Sequence, residues 1–300
     1  MLSSELRRSH SKQILHAMRV HQWAKNILVF VPVLLAHKMA DDSRLLAACI
    51  ACVSFSLCAS GGYIFNDIFD READRQHPAK KHRPFAADTL SVSTGFVCMA
   101  VLFGGSVVVA VAWLPFPFVI LLGVYGVSSM LYSALLKRLV MLDVLVLAGL
   151  YILRILAGGV AVVVPVSPWL LAFSGFLFLS LAFVKRYTEL EAMSSSSPAV
   201  IRRGYVVQDK ELLRNLGTSS GYLAALVFAL YINNSPDTLV LYQQPQVLWG
   251  ICPCLLYWIS RVWFLAHRGV IHQDPMVFTL TDPVSYFVGG VIAVLILAAV

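Results

Sequence analysis

The chain has 300 residues, 59% of them hydrophobic and only 13% charged, with a formal net charge of +7. Soluble domains carry about 25% charged residues, so this composition, with a mean hydropathy of +0.77, excludes a soluble globule and points to the bilayer as solvent. The basic excess lies between apolar runs rather than in a soluble segment, which argues against nucleic acid as a partner and for a topology signal.

In chain order, the first 25 residues carry Arg7, Arg8, Lys12, Arg19 and Lys25 with no apolar core among them. No cleavable signal peptide is expected there, and the first membrane segment is expected to be retained. Apolar segments follow at about 26–40, 45–66, 93–113, 117–136, 140–163, 168–184, 217–233, 246–266 and 284–300. A span needs about 20 residues, so the first and last are short, and the first is extended back through Trp23. The fold class expected is all-α: a polytopic membrane bundle of about nine helices around a central cavity, forming one domain over 1–300.

The loops agree with that count. Those containing Arg71 to Arg83, Lys137 with Arg138, Lys185 to Arg214, and His267 with Arg268 share a side with the basic N-terminus. The positive-inside rule then expects an inner or plasma membrane protein with a cytoplasmic N-terminus and site and an external C-terminus. The longest cytoplasmic loops follow the second and sixth helices, which suggests two four-helix halves plus one further helix. Ser194 to Ser197 with Pro198 reads as a flexible turn. The six cysteines read as small helix-packing residues, not as a disulfide framework.

The chemistry concentrates at 61–84, which contains Asn66-Asp67-Ile68-Phe69-Asp70 and Asp74, followed by Lys80, Lys81 and Arg83. On a helix, 67, 70 and 74 fall at i, i+3 and i+7, so the carboxylates share one face and Asn66 joins them. Like charges stacked in this way repel unless a cation neutralises them. Hard oxygen donors suit Mg²⁺, which takes one or two carboxylates together with water and substrate phosphates.

This N-D-x-x-D-x-x-x-D followed by H-P-x-K-x-x-R-P resembles the first aspartate-rich motif of the UbiA superfamily of intramembrane prenyltransferases. His21-Gln22-Trp23-Ala24-Lys25-Asn26 is similar to the start of that family's first helix. Tyr132-Ser133 and Leu136-Lys137-Arg138, with Asp143 beyond, resemble its fourth-to-fifth connection. The resemblance implies nine helices around a cavity and Mg²⁺ bridging Asp67, Asp70 and Asp74 to a diphosphate.

Family members carry a second acidic motif, DxxxD, after the sixth helix. Here Lys185-Arg186-Tyr187-Thr188-Glu189-Leu190-Glu191 stands in its place. That altered stretch resembles the decaprenyl-phosphate phosphoribosyltransferase branch, as do Arg203-Gly204-Tyr205, Tyr231-Ile232, Leu248-Trp249, Tyr257-Trp258 with Arg261, and Asp274-Pro275 ahead of Asp282. The branch implies phosphoribosyl diphosphate (PRPP) as donor and a polyprenyl phosphate as acceptor, with Lys185, Arg186 and Glu189 handling the phosphoribosyl group.

Such substrates bring several phosphates, and arginine forks suit phosphate oxygens. Lys25, Arg83, Lys137, Arg138, Lys185, Arg186 and Arg261, with Tyr132, are the candidate substrate contacts. Each cation could equally be a positive-inside anchor or a snorkelling side chain. Arg154 lies deep in the fifth span, where a charge costs roughly 2.5–3.5 kcal/mol; it is expected to face an anionic substrate or Asp143 and its neighbours.

Three functions are compatible with these residues. The first is phosphoribosyl transfer from PRPP to a polyprenyl phosphate with release of diphosphate. The second is prenyl transfer from a prenyl diphosphate onto an aromatic or quinone precursor. The third, from another class, is a transporter or lipid scaffold with a cation site. A homo-oligomer is compatible with each.

Overall fold

The computed structural model describes residues 11–76, 80–194, 204–235, 240–271 and 274–300, which contain helices and turns and no strand. The serine turn from Ser195 onward, Arg203, and His77 with Pro78 of the basic motif lie outside the described residues. Nine principal helices follow in chain order among the described residues: α1 (Val20–Leu35), α2 (Asp42–Phe69), α3 (Val92–Trp113), α4 (Phe116–Ala134), α5 (Leu142–Ala161), α6 (Pro168–Ser194), α7 (Lys210–Asn234), α8 (Pro245–His267) and α9 (Pro283–Ala299). Seven are long and apolar enough to cross a membrane; α1 and α9 are shorter apolar helices. Both were expected to be short.

Three of the boundaries that differ from the hydropathy reading carry polar residues into a helix. α2 runs on to Phe69, α6 runs on to Ser194, and α7 begins at Lys210. In each case a helix carries polar residues past the end of its apolar run, because backbone hydrogen bonding does not stop where hydropathy falls. The extensions hold Asp67 on α2, directly after Asn66, and Lys185, Arg186 and Glu189 on α6.

Two compact units emerge. The first comprises 1–137 with 153–165, and the second 138–152 with 166–300. The division therefore falls inside α5 rather than leaving the fifth helix to one half.

In the first unit α2 is the interior helix. Its most apolar stretch is 56% buried, against 28% for α3 and 22% for α4. Small side chains make this possible: Ala48, Ala51, Ser54, Cys58, Ala59, Ser60, Gly61 and Gly62 are all buried. Without a hydrophobic drive between helices in lipid, small residues and polar ties hold them together. Ser54 Oγ donates to the Ser106 carbonyl at 2.9 Å, and Asn26 Nδ2 to Ser56 Oγ at 2.9 Å. Ile64, Phe85, Leu90, Met99 and Leu102 form the core beneath the acidic end of α2. The N-terminus of α2 is capped by Asp41, which accepts from the Ser43 and Arg44 amides.

The second half of α5 belongs to this unit because Gly158 lets it meet α1. A Cβ on Gly158 would stand 2.1 Å from the Val29 carbonyl oxygen. The first half of α5 belongs to the second unit, where the Tyr151 and Phe178 rings pack at 5.0 Å between centroids. There α6, α7 and α8 close on one another through Ser180, which donates to the Gly217 carbonyl at 2.7 Å and accepts from Trp263 Nε1 at 3.1 Å.

Gly158→Ala is expected to lower stability by about 1–3 kcal/mol, because the obstacle is backbone and cannot rotate away. Gly149→Ala on the same helix meets nothing within 4 Å and should leave the thermal midpoint in detergent unchanged. Equal midpoints for the two variants contradict the close approach.

Candidate functional site

The acidic motif sits where α2 ends. Asp70 is the C-cap of α2, with φ −90° and ψ 4°, and the chain re-enters a short helix at Arg71–Arg75. The expected single stripe of three carboxylates is therefore corrected to two pairs. Asp67 and Asp74, both buried, share Arg83: one guanidinium nitrogen lies 3.2 Å from Asp67 Oδ1 and 2.6 Å from Asp74 Oδ2. Asn66 and Asp70 share Lys137, whose ammonium donates to both Asp70 oxygens at 2.7 Å and approaches Asn66 Oδ1 at 3.3 Å. The break at Asp70 turns its side chain toward Lys137 while Asp67 and Asp74 stay with Arg83.

Arg19 completes the set. It donates to Asp67 Oδ1 at 2.5 Å and stands 5.4 Å above the Tyr63 ring. The sequence reading did not single it out, counting it only among the basic residues of the N-terminus. Its one local signal is position, two residues before the His21-Gln22-Trp23 segment.

The loop that presents Arg83 is fastened to the short helix. Arg71 Nε donates to the Phe85 carbonyl and Arg75 Nε to the Ala86 carbonyl, each at 3.2 Å. Both guanidinium groups also grip Asp88, which sits at φ 56°, a conformation aspartate tolerates better than most residues. The hydrogen bond from Arg71, helped by the charges of Arg71 and Arg75, holds the Asp88 carboxyl below its ordinary range against the opposing effect of desolvation.

Arg154, buried in α5, donates from Nε to Asn26 Oδ1 at 2.8 Å and from a terminal nitrogen to the Tyr125 hydroxyl at 2.7 Å, and it lies 4.7 Å above the Tyr125 ring. Asp143, which with its neighbours was one of the two expected partners beside an anionic substrate, is bonded by Arg186 and Tyr205. Lys25 is buried on α1 beside Asn26, Tyr132 is half-buried on α4, and Arg138 is exposed at the end of the turn Leu136–Arg138.

The second unit carries the altered motif. Arg186 and Asp143, 1% and 0% exposed, form an ion pair. Arg186 also donates to Glu189 Oε2 at 2.6 Å, and the Tyr205 hydroxyl donates to Asp143 Oδ1 at 2.5 Å. The Met141 amide in turn donates to the Tyr205 hydroxyl at 3.0 Å. Burial first, and then the Asp143 carboxylate, push the Tyr205 phenol well above its ordinary range. Lys185 pairs with Asp274 at 2.9 Å. Arg261 holds Asp282 through two bonds of 2.7 and 3.0 Å, and Asp282 caps α9 by accepting from the Ser285 amide at 2.8 Å.

Among the described residues, no three His, Cys, Asp or Glu side chains stand together as a metal cage. Mg²⁺ does not require one, since one or two carboxylates with waters and substrate phosphates suffice. Asp67 with Asp74, close enough to share one guanidinium, and Asp70 with Asn66 are donor pairs of the right chemistry.

Residues 27–280 match the profile of the UbiA prenyltransferase family. The chain belongs to that family. Several apolar helices and UbiA membership make it an integral multi-pass membrane protein and a transferase. It is 36% identical over 94% of its length to the uncharacterized protein y4nM of Sinorhizobium fredii, yet spans only 55% of that protein. It is 37% identical to the nodulation protein NoeC of Azorhizobium caulinodans, over 89% of this chain and 86% of that one. It is 33% identical to the decaprenyl-phosphate phosphoribosyltransferase of Mycobacterium tuberculosis, over 73% of each chain. The fold also matches that of a UbiA homologue from Archaeoglobus fulgidus solved with GPP and Mg²⁺, with a TM-score of 0.73, 15% identity, and coverage of 96% of this chain and 99% of that one.

In this UbiA chain, removing one member of a buried ion pair should be costly. Arg186→Met strands the Asp143 carboxylate, and the expected loss is roughly 3–5 kcal/mol. The double variant Arg186→Met/Asp143→Leu should recover most of it. Denaturation in detergent measures both, and an unchanged single variant contradicts a structural role for the pair.

Proposed function

We propose that this UbiA-family chain acts as a single transferase domain that moves 5-phosphoribose from PRPP to a polyprenyl phosphate, releasing diphosphate. The observation that carries the reading is the replaced second motif. Lys185-Arg186-Tyr187-Thr188-Glu189 stands where two aspartates of a prenyl-diphosphate enzyme are expected, and it is tied into the fold by Arg186. The 33% identity to a decaprenyl-phosphate phosphoribosyltransferase supports the same choice.

The residues divide the work by charge. Asp67, Asp70 and Asp74, with Asn66 orienting, would hold Mg²⁺ for the donor diphosphate. When bound, Mg²⁺ supplies Lewis-acid stabilisation of the charge that develops on the leaving diphosphate. Arg19, Arg83 and Lys137 lie on these carboxylates and are placed to take phosphate oxygens. They stabilise leaving-group charge as the C–O bond to the anomeric carbon breaks. The acceptor phosphate forms the new bond through its own oxygen. A phosphomonoester is already anionic near neutral pH, so no protein nucleophile or general base is required. Lys25, Tyr132, Arg138, Arg154 and Arg261 are proposed as further substrate contacts, or as supports for them.

The distribution of basic loops supports a cytoplasmic N-terminus and acidic motif and an external residue 300. Reporters fused at the two ends should register opposite compartments; the same compartment for both overturns the topology.

The function is tested by incubating membranes with radiolabelled PRPP and a polyprenyl phosphate, then extracting lipid. Label should enter the lipid phase in a Mg²⁺-dependent manner. Asp67→Asn or Asp70→Ala should reduce it by roughly a hundredfold or more while the protein remains folded. Label transfer from a prenyl diphosphate to an aromatic acceptor, with none from PRPP, assigns the chain to aromatic prenyl transfer instead. Mg²⁺ binding without turnover of either donor favours a non-enzymatic role.

A further inference from the structure

The loop that delivers Arg83 to the acidic motif is fastened in two ways, by burial and by charge. Phe85 and Leu90, 1% and 4% exposed, belong to the core that also holds Ile64 of α2. The loop backbone closes on itself: the Ala87 amide donates to the Arg83 carbonyl at 2.8 Å, and the Thr89 amide to the Pro84 carbonyl at 2.9 Å. These contacts seat the loop without a charged group.

The second fastening is Asp88. Its carboxylate receives Arg71 on Oδ1 and Arg75 on Oδ2, while each arginine also donates from Nε to a loop carbonyl, Phe85 for Arg71 and Ala86 for Arg75. The Asp88 side chain is 57% exposed, and exposed ion pairs contribute little to stability. Its φ of 56° is a conformation that glycine adopts freely and that a side chain makes less favourable. An aspartate kept in that conformation for an exposed ion pair has little to offer the stability of the fold, and backbone outliers of this kind concentrate at functional sites. Arg71 and Arg75 flank Asp74 on the short helix, and Arg83 precedes Asp88 in the same loop. Asp88 thus joins the piece of chain that bears Asp74 to the piece that bears its counter-ion.

We propose that Asp88 is a positioning residue of the acidic site. By holding Arg71 and Arg75 on one carboxylate it sets the short helix against the loop, and so fixes the Arg83 guanidinium on Asp67 and Asp74. The proposal rests on reading that motif as a magnesium-diphosphate site, whichever diphosphate is the donor. Asp88 acts only through the arginines it receives. Hydrogen bonds such as those of Arg83, at 2.6 Å to Asp74 and 3.2 Å to Asp67, weaken as their geometry departs from the ideal. A displacement of about 1 Å caused far from the chemistry can cost roughly a hundredfold in rate.

Two substitutions separate the carboxylate from the backbone. Asp88→Gly removes the carboxylate and relieves the backbone, whereas Asp88→Asn removes the charge and keeps a residue that tolerates this φ. Inorganic diphosphate is titrated calorimetrically, in the presence of Mg²⁺, into the full chain in detergent, and the thermal midpoint is recorded beside it. Both variants should weaken diphosphate about ten- to a hundredfold, the range of one charge-assisted contact, with the midpoint of Asp88→Gly equal to or above that of the unaltered chain. Added to Arg83→Met, Asp88→Asn should cost nothing further, because the guanidinium it positions is gone. Undiminished binding in both variants overturns the proposal. So does a loss in Asp88→Gly that Asp88→Asn does not share, which assigns the effect to the backbone, and so do multiplying losses in the double variant, which make Asp88 merely structural. Asp88-dependent diphosphate binding in a chain that transfers nothing from PRPP refutes only the phosphoribosyl reaction. No diphosphate binding by the unaltered chain refutes the metal-site reading and this proposal with it.

Discussion

Carboxylates brought together at the end of a membrane helix must be neutralised, and the way this chain does it shapes the first unit. Asp67 and Asp74 are buried, where an isolated negative charge is untenable, and Arg83 spans the two of them. Arg19 reaches Asp67 from the N-terminal side, and Lys137 covers Asp70 with Asn66. Removing any one of these cations leaves a carboxylate short of its counter-charge. The loop from 83 to 90 is held by Arg71, Arg75 and Asp88 because the position of Arg83 depends on it. The small residues of α2 serve the same end, since they let α2 sit inside the unit, where its acidic terminus is enclosed.

The second unit solves a related problem with the opposite emphasis. There the buried Arg186 pairs with buried Asp143 and donates to Glu189, and Tyr205 donates to Asp143. A buried pair of this kind is weak evidence for stability in itself, but it is expensive to break. It therefore fixes where α5, α6 and the segment around Tyr205 stand. Lys185, one residue away on α6, pairs with Asp274.

Much of this was legible in the sequence for physical reasons. Apolar runs of spanning length located the helices, since lipid permits little else. The short first and last helices were visible as short runs. Acidic residues at the end of a span identified the motif, because charge there is costly enough to need a purpose. The break at Asp70 was not legible: Asp67, Asp70 and Asp74 have helical spacing, and nothing local shows that the helix stops at Phe69. Arg19 was missed because its partner lies 48 residues away and a basic residue near the first span reads as a topology signal. Arg154 was read as facing an anionic substrate or Asp143 and its neighbours, whereas the side chains it donates to include Asn26 and Tyr125. Partner choice across helices depends on packing, and no periodicity encodes it.

The claim on which the account turns is that the acidic motif binds a phosphoribosyl donor rather than a prenyl diphosphate. Calorimetric titration of the purified protein with Mg²⁺ and each of the two ligands, repeated on Asp67→Asn, tests it most directly. The account predicts that PRPP binds at least tenfold more tightly than ribose 5-phosphate, a difference of about 1.4 kcal/mol or more, and that Asp67→Asn abolishes the difference. PRPP binding no tighter than ribose 5-phosphate, alongside micromolar prenyl-diphosphate binding that is lost in Asp67→Asn, would contradict it.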